Sequence, residues 1–350
     1  MIDKFFEMLN LISYEVMILF IVFFVISFFW KKIYGILSLK AYQSKQRLHQ
    51  DEIPRIGGIL IYIFLIYIAL FSFESHLLNI ILISAIPILI VGAKEDFFQN
   101  TSPKLRLIIM ILSASMFIYL LPTKLPEIDF PLINTLLSIT LFKEIFFIFS
   151  ILVVINGNNL IDGINGSMAL TNIFQLSALG LLAFVANDVD LVQLCIILII
   201  PLIVFLIFNF PLGKVFSGDG GAYFYGFSIS SCTIFLFGKH DHFLSWIAVL
   251  ILIYPSTELL FSILRKKLFE NHSPFSSDAK HLHSLIFRFL NKKIKKINNS
   301  FATIYLLPFI LSPFLGYIFI DNILIIIASI FVIPFIYMLM YSYFLNLLKK

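Results

Sequence analysis

The chain has 350 residues, 60% of them hydrophobic and only 13% charged, with a mean hydropathy of +1.00. Soluble domains are about 45–50% apolar and about 25% charged, so this chain has too little polar surface to face water, and lipid is the solvent for most of it. The net charge of +5 does not point to nucleic acid, because the basic residues sort by membrane side.

Asp3, Glu7 and Glu15 accompany the first apolar run, and Lys31 and Lys32 follow it. That order is the reverse of a secretory signal and no small-residue cleavage site follows, so the run reads as a retained anchor. Runs long enough to span lie near residues 14–30, 57–73, 76–93, 105–121, 143–157, 164–186, 191–209, 220–238, 243–264, 301–320 and 322–347, which predicts about eleven transmembrane helices. The run at 143–157 is the shortest. Residues 122–142 carry Pro122, Pro126 and Pro131 and read as a non-spanning loop or hairpin. Cys195 and Cys232 lie inside apolar runs and read as small buried side chains. With no repeats or low-complexity linkers, residues 1–350 form a single domain, an all-α polytopic membrane protein.

With the N-terminus outside and the C-terminus inside, all 25 lysines and arginines except Lys4, Lys124, Lys143 and Lys239 fall on inner segments. The positive-inside rule supports this orientation and an odd number of spans.

The same inner segments hold the polar clusters. They are His49-x-x-x-x-Pro54-Arg55-x-Gly57-Gly58, Gly92-Ala-Lys-Glu95-Asp96, and Asn156-Gly-Asn-Asn159-Leu-Ile-Asp162-Gly163-Ile-Asn165-Gly166. Two more follow: Asn209-Phe-Pro211-Leu-Gly-Lys214-Val-Phe-Ser217-Gly218-Asp219-Gly220-Gly221 and Ser273-Pro274-Phe275-Ser-Ser-Asp278-Ala-Lys280-His281-Leu-His283. Singly, each has a plain explanation. Asp-Gly and Asn-Gly pairs form ordinary turns, a lone Asp can cap a helix, and Glu95-Asp96 beside Lys94 could be a solvated helix end. His281-x-His283 lacks the further ligands of a zinc site. Glu258, seven residues before Arg265, reads as a structural ion-pair partner approaching the inner face. Acids at helix ends in a membrane protein are costly, however, and five such segments on one face point to use. Hard carboxylates with open positions suit Mg²⁺ bound with substrate phosphate, glycines let backbone N–H groups approach a phosphate, and histidines hold anions or move protons. The combination suits phosphoryl transfer at a membrane–water boundary.

From Arg47 to His283 these segments, in this order, resemble the polyprenyl-phosphate N-acetylhexosamine-1-phosphate transferases, glycosyltransferase family 4, in particular the bacterial undecaprenyl-phosphate GlcNAc-1-phosphate transferases. The resemblance implies ten or eleven helices around a cytosol-facing active-site cleft in the bacterial inner membrane. It implies a Mg²⁺ cofactor, with Mn²⁺ able to substitute, and a UDP-N-acetylhexosamine and undecaprenyl phosphate as partners beside the bilayer itself; it leaves a homodimer open. Glu95 and Asp96 stand at the family's acidic pair, Asp162 at the Asp near the nucleotide sugar, and Asp219 at the Asp of the Met-Gly-Asp loop. His281 and His283 stand at the His-x-His near the diphosphate. The expected catalytic residues are therefore Glu95, Asp96, Asp162, Asp219, His281 and His283, and the metal ligands Asp219 and Asp96. His49, Arg55, Asn156, Asn159, Asn165, Asn209 and Lys214 are expected to bind substrate. Departures are Glu95 for the first Asp of the pair, Asn165 for the second Asp of Asp-Gly-x-Asp, Ser217 for the usual Met, and Ala222 for the usual Ser.

The expected reaction is attack of the lipid phosphate on the β-phosphorus of a UDP-HexNAc, GlcNAc by default, with release of UMP and the start of a surface polysaccharide such as O-antigen. An acid of the Glu95–Asp96 pair would free or orient the attacking oxygen. The alternative is a lipid-linked sugar transporter or flippase, which would place its ionisable groups near mid-span on broken helices.

Overall fold

The computed structural model describes residues 2–37, 53–268 and 280–349, with side chains in the first segment described only for 12–29. The chain is all-α, with no strand among the described residues. In order the helices are α1 (Ile2–Leu37), α2 (Gly57–Phe71), α3 (His76–Phe98), α4 (Pro103–Leu120), α5 (Pro131–Leu137), α6 (Thr140–Ile161), α7 (Ser167–Val185) and α8 (Val189–Asn209). They continue with α9 (Gly218–Lys239), α10 (Ser245–Ile251), α11 (Ile253–Leu268), α12 (Leu282–Lys293), α13 (Ser300–Tyr305), α14 (Leu307–Ile310), α15 (Pro313–Ile318) and α16 (Ile323–Lys349).

Seven of these helices are long and apolar enough to cross a membrane, or eight if the bent pair α10 and α11 is one span. The chain is a multi-pass membrane protein, but the expected eleven spans are not all matched, for three physical reasons. Helix α2 has only 15 residues. The run 301–320 is cut into three short helices, with Pro308 and Pro313 in the opening turns of α14 and α15, where proline's fixed φ suits a helix start and its missing N–H and ring disfavour a bond to the preceding turn. Helix α9 has the length, but its serines, glycines and tyrosines lower its hydropathy. It can be that polar because it faces protein: nearly every residue from Gly220 to Phe237 is buried. Three of its hydroxyls bond within the helix, as Ser228 donates to Phe224 O (2.8 Å), Ser230 to Gly226 O (2.9 Å) and Thr233 to Ile229 O (2.7 Å), the usual solution where no water is available, and Tyr225 donates to Leu198 O of α8 (3.0 Å).

Helix α9 is the hub around which the bundle closes, and glycines let the backbones approach. A Cβ on Gly58 of α2 would fall 2.1 Å from Gly221 Cα, and one on Gly92 of α3 would fall 2.4 Å from Gly220 Cα. A Cβ on Gly226 would come within 2.8 Å of Ile155 Cα in α6.

Helices α10 and α11 meet at a bend of 71°, with Pro255 in the first turn after the break. The break frees backbone groups in an apolar setting, where each must find a partner. Gln175, in the middle of α7, donates from Nε2 to Ile251 O (3.0 Å) and so explains its own presence inside an apolar span. The loop expected at 122–142 contains the short helix α5, and Cys195 and Cys232 are buried free thiols.

Candidate active site

The chemistry-bearing segments gather at one end of the bundle, because α3, α6, α8 and α11 run into it and α4, α7 and α9 leave it. Three of the motifs lie in the end turns of helices. Glu95 and Asp96 lie near the end of α3, Asn156 to Asn159 near the end of α6, and Asp219 in the first turn of α9.

Asp219 is the focus. Its Oδ2 accepts from Arg106 Nη1 (3.2 Å) and from the Tyr223 hydroxyl (3.0 Å), and its Oδ1 accepts from Asn159 Nδ2 (3.2 Å). Arg106, in the first turn of α4, also donates to the Tyr223 oxygen (3.2 Å). Both members of the Arg106–Asp219 ion pair keep part of their surface exposed, 25% and 22%, so the carboxylate stays reachable.

The acidic pair divides its work. Asp96 Oδ1 accepts from Asp219 N (2.8 Å) and Oδ2 from Gly220 N (3.1 Å). These are N–H groups of the first turn of α9, which lack intrahelical partners, so a carboxylate from α3 caps α9. Glu95 turns the other way and accepts from Thr101 N (2.9 Å), closing the turn between α3 and α4.

Asp162 follows the last residue of α6 and is partly exposed. Its Oδ2 accepts from the Ser217 hydroxyl. The protein packed around it pushes its carboxyl up to about 7; the Ser217 hydrogen bond and the charge of Arg55 oppose that rise and the charge of Asp219 adds to it. Next to it, Gly163 carries the imidazole of His283, whose Nε2 would lie 2.0 Å from any Cβ there. His283 is buried, which pushes its pKa down to about 4 with help from His281 and against the charge of Glu258. Its ring stacks on His281, centroids 5.6 Å apart and planes 4° apart. His281 Nδ1 contacts Glu258 Oε1 (2.9 Å), and Glu258 Oε2 accepts from the Tyr337 hydroxyl (2.7 Å).

Asp96, Asp162 and Asp219 thus lie around the start of α9, with Asn159 bonded to Asp219, the charge of Arg55 acting on Asp162, and His283 packed against Gly163 beside Asp162. Other expected residues serve the frame in this structure. Asn209 accepts from Gly166 N (2.7 Å) and donates to Val215 O (2.9 Å), Asn165 donates to Pro211 O (3.2 Å), and Asn156 donates to Leu152 O (2.8 Å). The Lys214 side chain is exposed. His49 lies outside the described residues, as do Ser273, Pro274, Phe275 and Asp278. Sequence reasoning missed Arg106 and Tyr223 as site residues and gave Glu258 no part in the histidine pair. The available signals were an arginine ten residues after Asp96, a tyrosine one turn after Asp219, and an acid inside an apolar run.

Residues 78–237, the stretch holding all three aspartates, match the sequence pattern of glycosyl transferase family 4. Over that stretch the chain is similar to glycosyl transferase family 4. Among the proteins it is similar to, a Bacillus subtilis protein described as a probable undecaprenyl-phosphate N-acetylglucosaminyl 1-phosphate transferase is 28% identical over 274 residues, covering 77% of this chain and 74% of the relative. Undecaprenyl-phosphate alpha-N-acetylglucosaminyl 1-phosphate transferases of Salmonella typhi and Thermotoga maritima are each 25% identical. The first covers 69% of this chain and 67% of its own, the second 77% and 81%. The family 4 match begins in α3 and ends in α9, the helices whose ends carry Asp96 and Asp219.

Proposed function

We propose that this chain transfers HexNAc-1-phosphate, with GlcNAc as the default sugar, from a UDP-sugar to undecaprenyl phosphate. The reaction would take place at the cytoplasmic face of a bacterial inner membrane, with the N-terminus outside. The observation that carries the reading is the convergence of Asp219, Asp162 and Asp96 with Arg106 and Arg55 at one end of a membrane-spanning bundle, in a chain related to transferases of that name.

The chemistry is a displacement at phosphorus. An oxygen of the lipid phosphate bonds to the β-phosphorus of the donor. The bond from that phosphorus to the bridging oxygen breaks, and UMP leaves with the oxygen, so no water is consumed. Positioning and charge neutralisation supply most of the acceleration in such transfers. Asp162, with its proton affinity matched to neutral pH, is the group suited to take a proton from the lipid phosphate. Asp96 fixes the first turn of α9 and hence the place of Asp219. Arg106 and Arg55 offset phosphate charge.

Mg²⁺ fits the donor set. The described residues hold no cluster of three His, Cys, Asp or Glu ligands, and Mg²⁺ commonly takes one or two carboxylates and completes its shell with water and substrate phosphate. Asp219, partly exposed and ringed by hydrogen-bonding side chains, would hold it; Asp96, with both oxygens on backbone N–H groups, is better suited to a supporting part. When bound, the ion would neutralise charge on the diphosphate.

The test uses purified protein in detergent with undecaprenyl phosphate, Mg²⁺ and a panel of UDP-HexNAc donors. UMP and sugar diphospholipid appearing together from one donor would establish the reaction and name the sugar. Uptake of labelled substrate into vesicles without UMP would support transport instead.

A further inference from the structure

Ser217 is the residue at which this chain departs from the methionine usual in the family it resembles, and the structure gives that serine an unusual setting. It occupies the N-cap position of α9, yet its side chain makes no capping hydrogen bond. A serine there ordinarily accepts from the N–H groups of the first turn. Here Asp96 takes those groups, and the Ser217 hydroxyl is turned to Asp162 Oδ2, with Gly218 O (3.3 Å) as a second, longer contact. Among the described residues Ser217 is the hydrogen-bond donor on the Asp162 carboxylate. It is 2% exposed.

The backbone beneath that hydroxyl is held on both sides. Phe216 N donates to Pro54 O (2.8 Å), Phe216 O accepts from Gly57 N (3.0 Å), and Ser217 O accepts from Gly58 N (2.9 Å). Gly218 follows at φ +75, and a Cβ on it would meet Asp96 Oδ2 at 2.4 Å. Ser217 therefore presents its hydroxyl from a fixed point, whereas Asp162 sits in the short connection between α6 and α7, whose Asp162 N–Asn159 O bond is long at 3.3 Å.

We propose that Ser217 is a positioning residue: its hydroxyl ties Asp162, and with it the connection from α6 to α7, to the first turn of α9, fixing where Asp162 stands relative to Asp219 when a nucleotide sugar is bound. The assignment rests on the transferase reading above for its kinetic consequence, though not for its structural one. It also has a consequence against family expectation. Methionine at 217 cannot donate a hydrogen bond, so the residue usual in the family would be the wrong one in this chain.

Three variants of the full-length protein test it: Ser217→Ala removes the hydroxyl, Ser217→Thr keeps it, and Ser217→Met installs the family residue. Hydrogen–deuterium exchange on the resting protein is read first, because it needs no substrate. Exchange across 162–166 should quicken in the alanine and methionine variants and return to wild-type rates in the threonine variant, with the melting temperature of the alanine variant unchanged. In steady-state assays, loss of one buried hydrogen bond to a carboxylate should lower kcat/KM for the UDP-sugar about tenfold in Ser217→Ala. The KM for undecaprenyl phosphate should not change, and threonine should restore the rate. Unaltered exchange in Ser217→Ala, or a methionine variant that turns over at or above the wild-type rate, would overturn the proposal. If the exchange pattern appears but the wild type makes no UMP from any UDP-HexNAc, the tether stands and the transferase reading fails.

Discussion

Asp96 is the residue at which sequence and structure assign different work, and Asp96→Ala separates them. In the structure its two carboxylate oxygens accept the backbone N–H groups of Asp219 and Gly220 at 2.8 and 3.1 Å. Alanine would leave both donors without their acceptor in a buried place, at about 1–3 kcal/mol each. The loss of a negative charge at the N-terminus of α9 adds roughly 0.3–1 kcal/mol. Relief of repulsion from Asp219 subtracts from this, since the two like charges oppose each other. The net expectation is a destabilisation of about 2–5 kcal/mol, a large fraction of the stability of an ordinary domain. Asp96→Asn keeps one acceptor oxygen and should lose about half as much. The assay is thermal unfolding in detergent, read beside turnover, for wild type, Asp96→Ala and Asp96→Asn. A melting temperature that falls in the order wild type, Asn, Ala, with activity falling in parallel, is expected. An alanine variant that melts like wild type but has lost all turnover would refute the capping argument and return Asp96 to a direct part in the chemistry.

Two further outcomes follow from the same geometry. Gly92→Ala places a Cβ 2.4 Å from Gly220 Cα, a clash between two backbones that no side-chain rotation relieves, so α3 and α9 must separate. The protein should be recovered in low yield or melt well below wild type, by an amount like an overpacked core, about 1–3 kcal/mol or more, and a wild-type melt would contradict the close approach. Asp162 should govern the pH profile of the proposed reaction. With its carboxyl raised to about 7, kcat/KM should rise along an acid limb centred near that pH and level off above it, and Asp162→Asn should lose the limb together with most of the rate. The sign for stability is opposite. A carboxyl whose folded pKa is raised contributes most below its unfolded range and loses that contribution as pH rises through about 7, so Asp162→Asn should gain stability over wild type on the alkaline side. A limb that persists in Asp162→Asn would assign it to another group.

Much of the fold was legible because lipid leaves a plain mark on sequence: every predicted apolar run is helical in the structure. What hydropathy could not reveal is which runs face lipid. Helix α9 is central because it is surrounded by protein, and its glycines and hydroxyls follow from that position. The break between α10 and α11 was partly visible in Pro255, but the Gln175 side chain that meets the freed Ile251 carbonyl comes from 76 residues away. Asp162-Gly163 forms the turn that such a pair favours, while Asn156 to Asn159 lie inside α6, where packing against α9 keeps them helical, a tertiary override of local preference. In the site, the acids were legible because carboxylates at span ends are rare. Their partners were not: Arg106 and Asp219 are 113 residues apart and Ser217 and Asp162 are 55 apart, and no spacing rule connects them.

The most direct test follows UMP and sugar diphospholipid together in one reaction of undecaprenyl phosphate, UDP-GlcNAc and Mg²⁺, with wild type beside Asp219→Ala. Wild type should form the two products in equal amounts, and Asp219→Ala, still folded by its melting curve, should form neither. UMP without diphospholipid from wild type, or substantial turnover by Asp219→Ala at saturating Mg²⁺, would contradict transfer through this carboxylate.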